Sequence, residues 1–319
     1  MTPGVYLNLP EEDYFKAPAL GSTDLVKLCY DACGWWWASG NNPAYEREET
    51  PALRFGKMLH AYVLEGEEAF NSRHITPPFP PEFNKLKKEY QEWKKEQEEL
   101  GLTILDAEQY NSVVHMANLI LLHPELGGIR SGLNEVSVFW EDNGILFRAR
   151  FDSMTPSFSI DFKSLDGEQA RGDTLAEKVE YVIDKRHYDI QRAHYETARE
   201  KLCEFVSQGL VFGGTQEQMD KIKFVASRKD WAFLWVFFQK IDNKKGKAPV
   251  VYPVYSPRAD DAHEYGFNKI KTALANYRGY HSQFGLEIPW ARIEPIKEMT
   301  RYRMSMSYVP QPEFEGGNL

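Results

Sequence analysis

The stretch from Glu135 to Lys163 constrains the fold more than any other part of the chain. Glu135 to Glu141 (EVSVFWE) and Ile145 to Asp152 (ILFRARFD) flank Asp142-Asn143-Gly144. Both segments are rich in β-branched and aromatic residues, and Asn-Gly between two such runs is the strongest short-range hairpin signal. A third run, Phe158 to Lys163 (FSIDFK), follows a Thr155-Pro156-Ser157 turn. Any fold must therefore be built around a sheet. Lys223 to Ser227 and Ala232 to Lys240 are expected to extend it. Helical periodicity is expected over Ser22 to Cys33, with Ser22 as N-cap, and over Ala52 to Glu65, Ala107 to His123, Tyr188 to Ser207 and Ala259 to Ser282. Glu82 to Leu100 reads as a helix with a solvated, ion-paired face. Helices before, between and after the strands give an α/β or α+β class, a central mixed β-sheet flanked by helices. The whole chain, 1–319, reads as one domain, with a helical part to about residue 130, the sheet and its helices to about residue 290, and a tail over 299–319.

At 42% hydrophobic, 14% aromatic and 27% charged residues, the composition is that of a globular protein rather than a disordered one. No apolar run approaches the roughly 18 residues of a membrane-spanning helix, so no membrane association is expected. The opening MTPGVYLNLPEEDYF lacks the pattern of a signal peptide. Three cysteines, Cys29, Cys33 and Cys203, cannot build a disulfide framework. A cytoplasmic location is expected. Lys and Arg number 38 against 47 Asp and Glu, a net charge of −9, which argues against indiscriminate coating of nucleic acid. An enzyme acting on DNA can still confine its positive charge to one channel and use carboxylates for metal ions.

Strand alternation places Arg148, Arg150 and Asp152 on one face, opposite Phe147, Ala149 and Phe151. Asp161 and Lys163 likewise alternate with Ile160 and Phe162. If the apolar faces turn to the core, two carboxylates and a lysine converge on adjacent strands. Hard divalent cations take carboxylate oxygens, and a lysine beside them can orient water or stabilise charge developing on phosphate. Acid-x-Lys triplets also occur at Glu92-Trp93-Lys94 and Asp242-Asn243-Lys244; the strand setting is what distinguishes Asp161-Phe162-Lys163, and on the pattern alone surface ion pairs compete with a metal site. Gln191 and Tyr195 lie four apart and share a helix face. His60 stands in an otherwise apolar helix, with Gly56 one turn earlier leaving room beside it; taken alone it reads as a satisfied core histidine, taken with the acids as a ligand.

The order His60, Glu135, Asp152, Asp161-x-Lys163, Gln191-xxx-Tyr195 resembles the RecB-like branch of the PD-(D/E)xK nuclease superfamily, and within it the nuclease domain of the exodeoxyribonuclease VIII, or RecE, family. The likeness runs over most of the chain, through PGVY and EEDY, FGKMLH and EGEEAF, NEVSVFWEDNGILFRARFD, DFKS, YDIQRAHY and IPWA. It implies that Asp152 and Asp161 bind catalytic Mg²⁺ or Mn²⁺, with His60 and the Phe162 main-chain oxygen as further ligands. Glu135 would be a ligand or water-orienting group, Lys163 would position or activate the attacking water, and Gln191 and Tyr195 would orient the site or grip the strand. The implied activity is metal-dependent exonucleolytic digestion of double-stranded DNA from its ends, 5′→3′, leaving 3′ single strands. A homo-oligomer, a single-strand annealing partner and a phage or prophage recombination context are implied with it. Ala149-Arg150-Phe151-Asp152 replaces the common Gly-Arg-Pro-Asp, and Ser164-Leu165 replaces threonines, changes around the ligands rather than in them. The iron–sulfur relatives need four cysteines, so no cluster is expected.

Phosphate tracking is expected of Arg148 and Arg150, while for Lys185 and Arg186 it competes evenly with an ordinary surface role. Two other readings compete: an endonuclease of the same superfamily, and a DNA-binding scaffold without catalysis. Trp35, Trp36 and Trp37 are expected to pack in a core or interface rather than stack on bases, and Lys240 to Lys247 to form a solvated turn.

Overall fold

A computed structural model describes residues 1–46, 48–80, 82–165, 171–241, 246–258 and 261–293. The tail over 299–319 and the Asp242-Asn243-Lys244 triplet, with most of the turn expected there, lie outside the described residues. The strands are β1 (Gly4–Tyr6), β2 (His74–Ile75), β3 (Thr103–Ile104), β4 (Leu133–Asp142), β5 (Ile145–Met154), β6 (Phe158–Ser164), β7 (Val211–Phe212), β8 (Ala232–Gln239) and β9 (Val250–Ser256). The helices are α1 (Glu11–Lys16), α2 (Ser22–Tyr30), α3 (Ala32–Trp37), α4 (Pro51–His60), α5 (Glu67–Asn71), α6 (Lys88–Glu99), α7 (Ala107–Leu122), α8 (Leu175–Lys185), α9 (Tyr188–Ser207), α10 (Gln216–Ser227) and α11 (Asp261–Phe284). α4 runs on into a π-helical turn, Ala61–Glu65.

Seven strands form one mixed sheet in the order β7-β1-β4-β5-β6-β8-β9. The hairpin at Asp142-Asn143-Gly144 is where the sequence puts it, and the positive φ of both Asn143 (48°) and Gly144 (75°) is what a type I′ turn demands. β6 pairs antiparallel with β5 and parallel with β8, which makes the sheet mixed. β9 carries Pro253, tolerated because β9 is an edge strand. One sheet face packs against α2, α9, α10 and α11 through a cluster that includes Leu25, Ile190, Leu202, Ile222 and Phe237. The other packs against α4 and α7 through Leu59, Val113, Ile120, Phe162 and Val236.

Four local expectations are corrected. Lys223 to Ser227 is the end of helix α10, not a strand. Thr215 and Gln218 form a capping box ahead of it, and Ile222 and Val225 are buried at helical spacing. Five residues of mixed apolar character do not distinguish the two on their own. The N-cap of α2 is Gly21, whose N–H donates to the Asp24 carboxylate, and Ser22 is the first helical residue. That helix ends at Tyr30, where Asp31 leaves helical conformation and caps α3 instead, so Cys29 and Cys33 stand on different helices. The part before residue 130 is also not wholly helical. β1 joins the main sheet beside β4, and β2 and β3 pair across the excursion that carries α6. Trp35 and Trp36 are buried and Trp35 packs against Trp290, while Trp37 is half exposed.

Candidate active site

β4 and β5 change phase at one point. Val136, Val138 and Trp140 belong to the larger core cluster, and so does Leu133, which strict alternation would put on the other face. On β5, Phe147, Ala149 and Phe151 belong to that cluster together with Met154. Both shifts fall between the ladder partners Asn134↔Ser153 and Val136↔Phe151, at Glu135 and, opposite it, Asp152. Glu135 has φ 53°, a left-handed conformation that costs a residue with a Cβ on the order of 1–2 kcal/mol. The kink turns β5 away from β6. Their ladder holds at Ser153↔Ile160 and Met154↔Ser159 and stops there. Where the next pair would form, the Asp152 carboxylate takes the place of a main-chain acceptor, and the Phe162 N–H donates to it at 2.8 Å.

Asp152 and Asp161 therefore do not share a sheet face, which corrects the arrangement expected from alternation. Asp161 points toward α9, on the face opposite its sequence neighbours Ile160 and Phe162, which belong to the smaller cluster. Asp152 reaches into the gap between the parted strands from the other side, with His60 Nε2 3.6 Å from its Oδ2. The two acids still converge, because the gap lets each approach from its own side. Gly56 has open space at its Cβ position, one turn before His60.

On the α9 side, Lys163 Nζ contacts Asp161 Oδ2, and Gln191 Nε2 donates to Asp161 Oδ1 at 2.8 Å. Burial drives the Asp161 pKa up, with Lys163 pulling against it. Burial works against the Lys163 ammonium too, but Asp161, Tyr188 and Asp152 outweigh it and raise the lysine's pKa. The Lys163 ammonium also lies 4.9 Å from the centre of the Tyr188 ring. Tyr188 is the residue that sequence reasoning missed, although it lies one turn before Gln191 in the quoted YDIQRAHY. Tyr195 donates its hydroxyl to the Arg150 main-chain oxygen at 2.8 Å, so it ties α9 to β5. The Glu135 carboxyl, beside Arg150 at 3.8 Å, has its pKa pushed up to about 7 by loss of water and by the Asp152 charge, against the pull of Arg150.

Arg148 and Arg150 are placed differently from the expectation. Arg148 Nη1 donates to the main-chain oxygens of Tyr14, Phe15 and Ala17 at 2.8–3.0 Å. Arg150 donates to Leu9 O at 2.7 Å and Ser137 Oγ at 2.9 Å, and its guanidinium covers the Tyr14 ring at 4.3 Å. Both clamp the N-terminal segment to the sheet rather than forming a row of free cations on a DNA path. Lys185 and Arg186 are exposed at the end of α8.

His60, Asp152 and Asp161 offer imidazole nitrogen and carboxylate oxygen around one gap, a donor set suited to Mg²⁺ or Mn²⁺. Among the described residues no three His, Cys, Asp or Glu side chains are drawn together closely enough to enclose an ion. The residue types fit a divalent metal; the distances are those of a site whose carboxylates are held by Lys163, Gln191 and the Phe162 N–H.

Residues 36–231 match the model of a family described as a PDDEXK-like domain of unknown function (DUF3799). The chain belongs to this PDDEXK-like family. The matched span contains His60, Glu135, Asp152, Asp161, Lys163, Gln191 and Tyr195. The PDDEXK-like chain also superposes on the crystal structure of a protein from Eubacterium rectale named "Putative exonuclease", with a TM-score of 0.50 and 15% identity over 94% of this chain and 97% of that one. At that identity the likeness is one of fold. No curated protein matches the chain. Among the described residues, no helix is long and apolar enough to cross a membrane.

Proposed function

We propose that this PDDEXK-like protein is a metal-dependent exodeoxyribonuclease that digests linear double-stranded DNA from its ends. The observation that carries the reading is the convergence of Asp152, Asp161 and Lys163 at the gap between β5 and β6, with His60 on one side and Gln191 on the other. Membership of a PDDEXK-like family and the fold shared with a protein named as an exonuclease support it. The 5′→3′ direction, the 3′ single-stranded product, a ring-like homo-oligomer and an annealing partner rest on the sequence resemblance to the RecE family.

Asp152, Asp161 and His60 would hold the Mg²⁺, which when bound supplies charge neutralisation at the phosphate and a lowered pKa for water. The protein's own groups do the rest. Lys163 is held protonated by Asp161, and so presents a fixed positive charge beside the place where negative charge develops on the phosphate. Gln191 fixes one Asp161 oxygen by donating to it, so the carboxylate cannot rotate. Asp152 is fixed in the same way by the Phe162 N–H. Preorganisation of this kind is effective because the dipoles are in place before the reaction begins.

The test is digestion of linear DNA, end-labelled on one strand at a time, beside a circular plasmid. Mg²⁺, EDTA and Lys163→Ala arms complete it. Early loss of the 5′ label with circles spared, and no cleavage with EDTA or Lys163→Ala, is the expected result. Nicked circles would replace the exonuclease with an endonuclease. Absence of Mg²⁺- or Mn²⁺-dependent cleavage of either substrate would sink the catalytic reading.

A further inference from the structure

Away from the acidic gap, the C-terminal end of α10 carries a different chemistry. Phe224 is 53% exposed, an unusual position for a phenylalanine on a helix whose other face is well packed. Arg228 and Lys229 line the same cleft as Phe224, Lys223 precedes it in the chain, all three are exposed, and none has an ion-pair partner among the described residues. In a chain with net charge −9, two unpaired cations lining a cleft beside one exposed aromatic ring are a local excess of positive charge. The Arg228 guanidinium lies over the Phe224 ring at 5.2 Å.

This surface forms one wall of a cleft of about 630 Å³, within the size range of small-molecule and nucleotide sites. The opposite wall is the β5–β6 turn at Pro156 and Ser157. Ser227 adds a second hydroxyl, and Asp230 is the one acid on the lining. An aromatic platform with cations and hydroxyls beside it is the composition that receives single-stranded nucleic acid: bases stack on the ring and phosphates meet the cations. An apolar peptide would not use the unpaired charges, and a free anion would not use the ring.

The cleft is also connected to the site. Ser157 immediately precedes β6, which carries Asp161 and Lys163. Four to six residues of strand at about 3.3 Å each place the cleft roughly 13–20 Å along β6 from those side chains.

We propose that the Phe224–Arg228–Lys229 cleft is an accessory site for single-stranded DNA, separate from the metal-binding gap. It deepens the nuclease reading, on which its choice of DNA as the polymer rests. The experiment measures fluorescence anisotropy of a labelled oligo(dT) with the full chain in EDTA, so binding is read without any cleavage. Phe224→Ala is expected to weaken binding about 10-fold and Phe224→Trp to restore it. Arg228→Ala with Lys229→Ala is expected to lower the slope of log K against log salt concentration by about 1.4, at about 0.7 per phosphate contact. Thermal unfolding of each variant confirms that these exposed substitutions leave the fold intact. Wild-type affinity in Phe224→Ala, or an unchanged salt slope in the double variant, would overturn the proposal. If the wild-type chain cleaves no DNA but the variants lose oligo(dT) binding as described, the catalytic reading fails and the accessory site stands.

Discussion

Lys163 owes its position to two neighbours of different kinds. Asp161 holds its charge, and the Tyr188 ring lies beneath its ammonium at 4.9 Å. A cation over an aromatic face that is partly removed from water is worth on the order of 1–2 kcal/mol. Tyr188→Leu is therefore expected to lower the maximal cleavage rate about 10-fold with little change in KM, and Tyr188→Phe, which keeps the ring, to stay close to wild type. Equal losses in the two variants would assign the effect to the hydroxyl instead. A second single residue sets a pH limit on stability. His194 is 2% exposed, with Nε2 donating to Arg148 O at 2.8 Å. Burial pushes its pKa down to about 4, the hydrogen bond to the Arg148 carbonyl pulling weakly the other way. Its unfolded pKa is about 6.5, so between those values the unfolded chain binds the extra proton. Stability attributable to His194 is complete above about pH 6.5 and falls as pH drops toward 4, by about 3 kcal/mol in all. Urea unfolding across that range, with His194→Gln expected to flatten this part of the dependence, is the check.

Among the elements, β5 does two jobs. Its near half carries Arg148 and Arg150, which hold residues 9–17 down by hydrogen bonds to main-chain oxygens. Its far half delivers Asp152. Arg150→Ala removes the donor to Leu9 O and the cover over Tyr14, and leaves that partly buried carbonyl without its Arg150 partner, a cost of about 1 kcal/mol. The variant is expected to be cut by trypsin near Lys16 at protease levels that leave the wild type whole, as mass spectrometry would show. Much of this architecture was legible in the residues. The Asn143-Gly144 turn and the extent of α9, with Gln191 and Tyr195 four apart on it, follow from short-range pattern, because turn chemistry and helical spacing are local. That Gln191 meets Asp161, 30 residues away, does not follow from pattern, and its orienting role came from the family resemblance. The phase change at Glu135 was not legible, since no glycine or proline marks it and its left-handed conformation is imposed by the surrounding sheet. The clamping role of the arginines was hidden for a related reason. Alternation says which way a side chain leaves the strand, and gives no account of a segment more than a hundred residues earlier in the chain waiting there to accept its hydrogen bonds. The strand misreading at Lys223 to Ser227 came from a window too short to contain the Thr215 cap.

At the scale of the whole molecule, two hydrophobic clusters lie on opposite faces of one sheet, and each supports half of the site. Leu59 and Phe162 anchor the His60 side, and Ile190 and Phe237 anchor the side of Lys163 and Gln191. The two acids stand nine positions apart in the sequence, and every position between them is committed. Ser153 and Met154 pair with Ile160 and Ser159, and Thr155 closes the turn by hydrogen bonds to Phe158. One residue added or removed there would exchange the two faces of the strand beyond it and carry one carboxylate out of the gap. The excursion between β2 and β3, which carries α6, has no such commitment: the short β2–β3 pair closes its base. Length in this chain is thus rationed unevenly. Relatives that vary in size should gain or lose residues in the α6 excursion and keep the count from Asp152 to Asp161, so that the spacing of the two acids becomes a better mark of kinship than the residues around them.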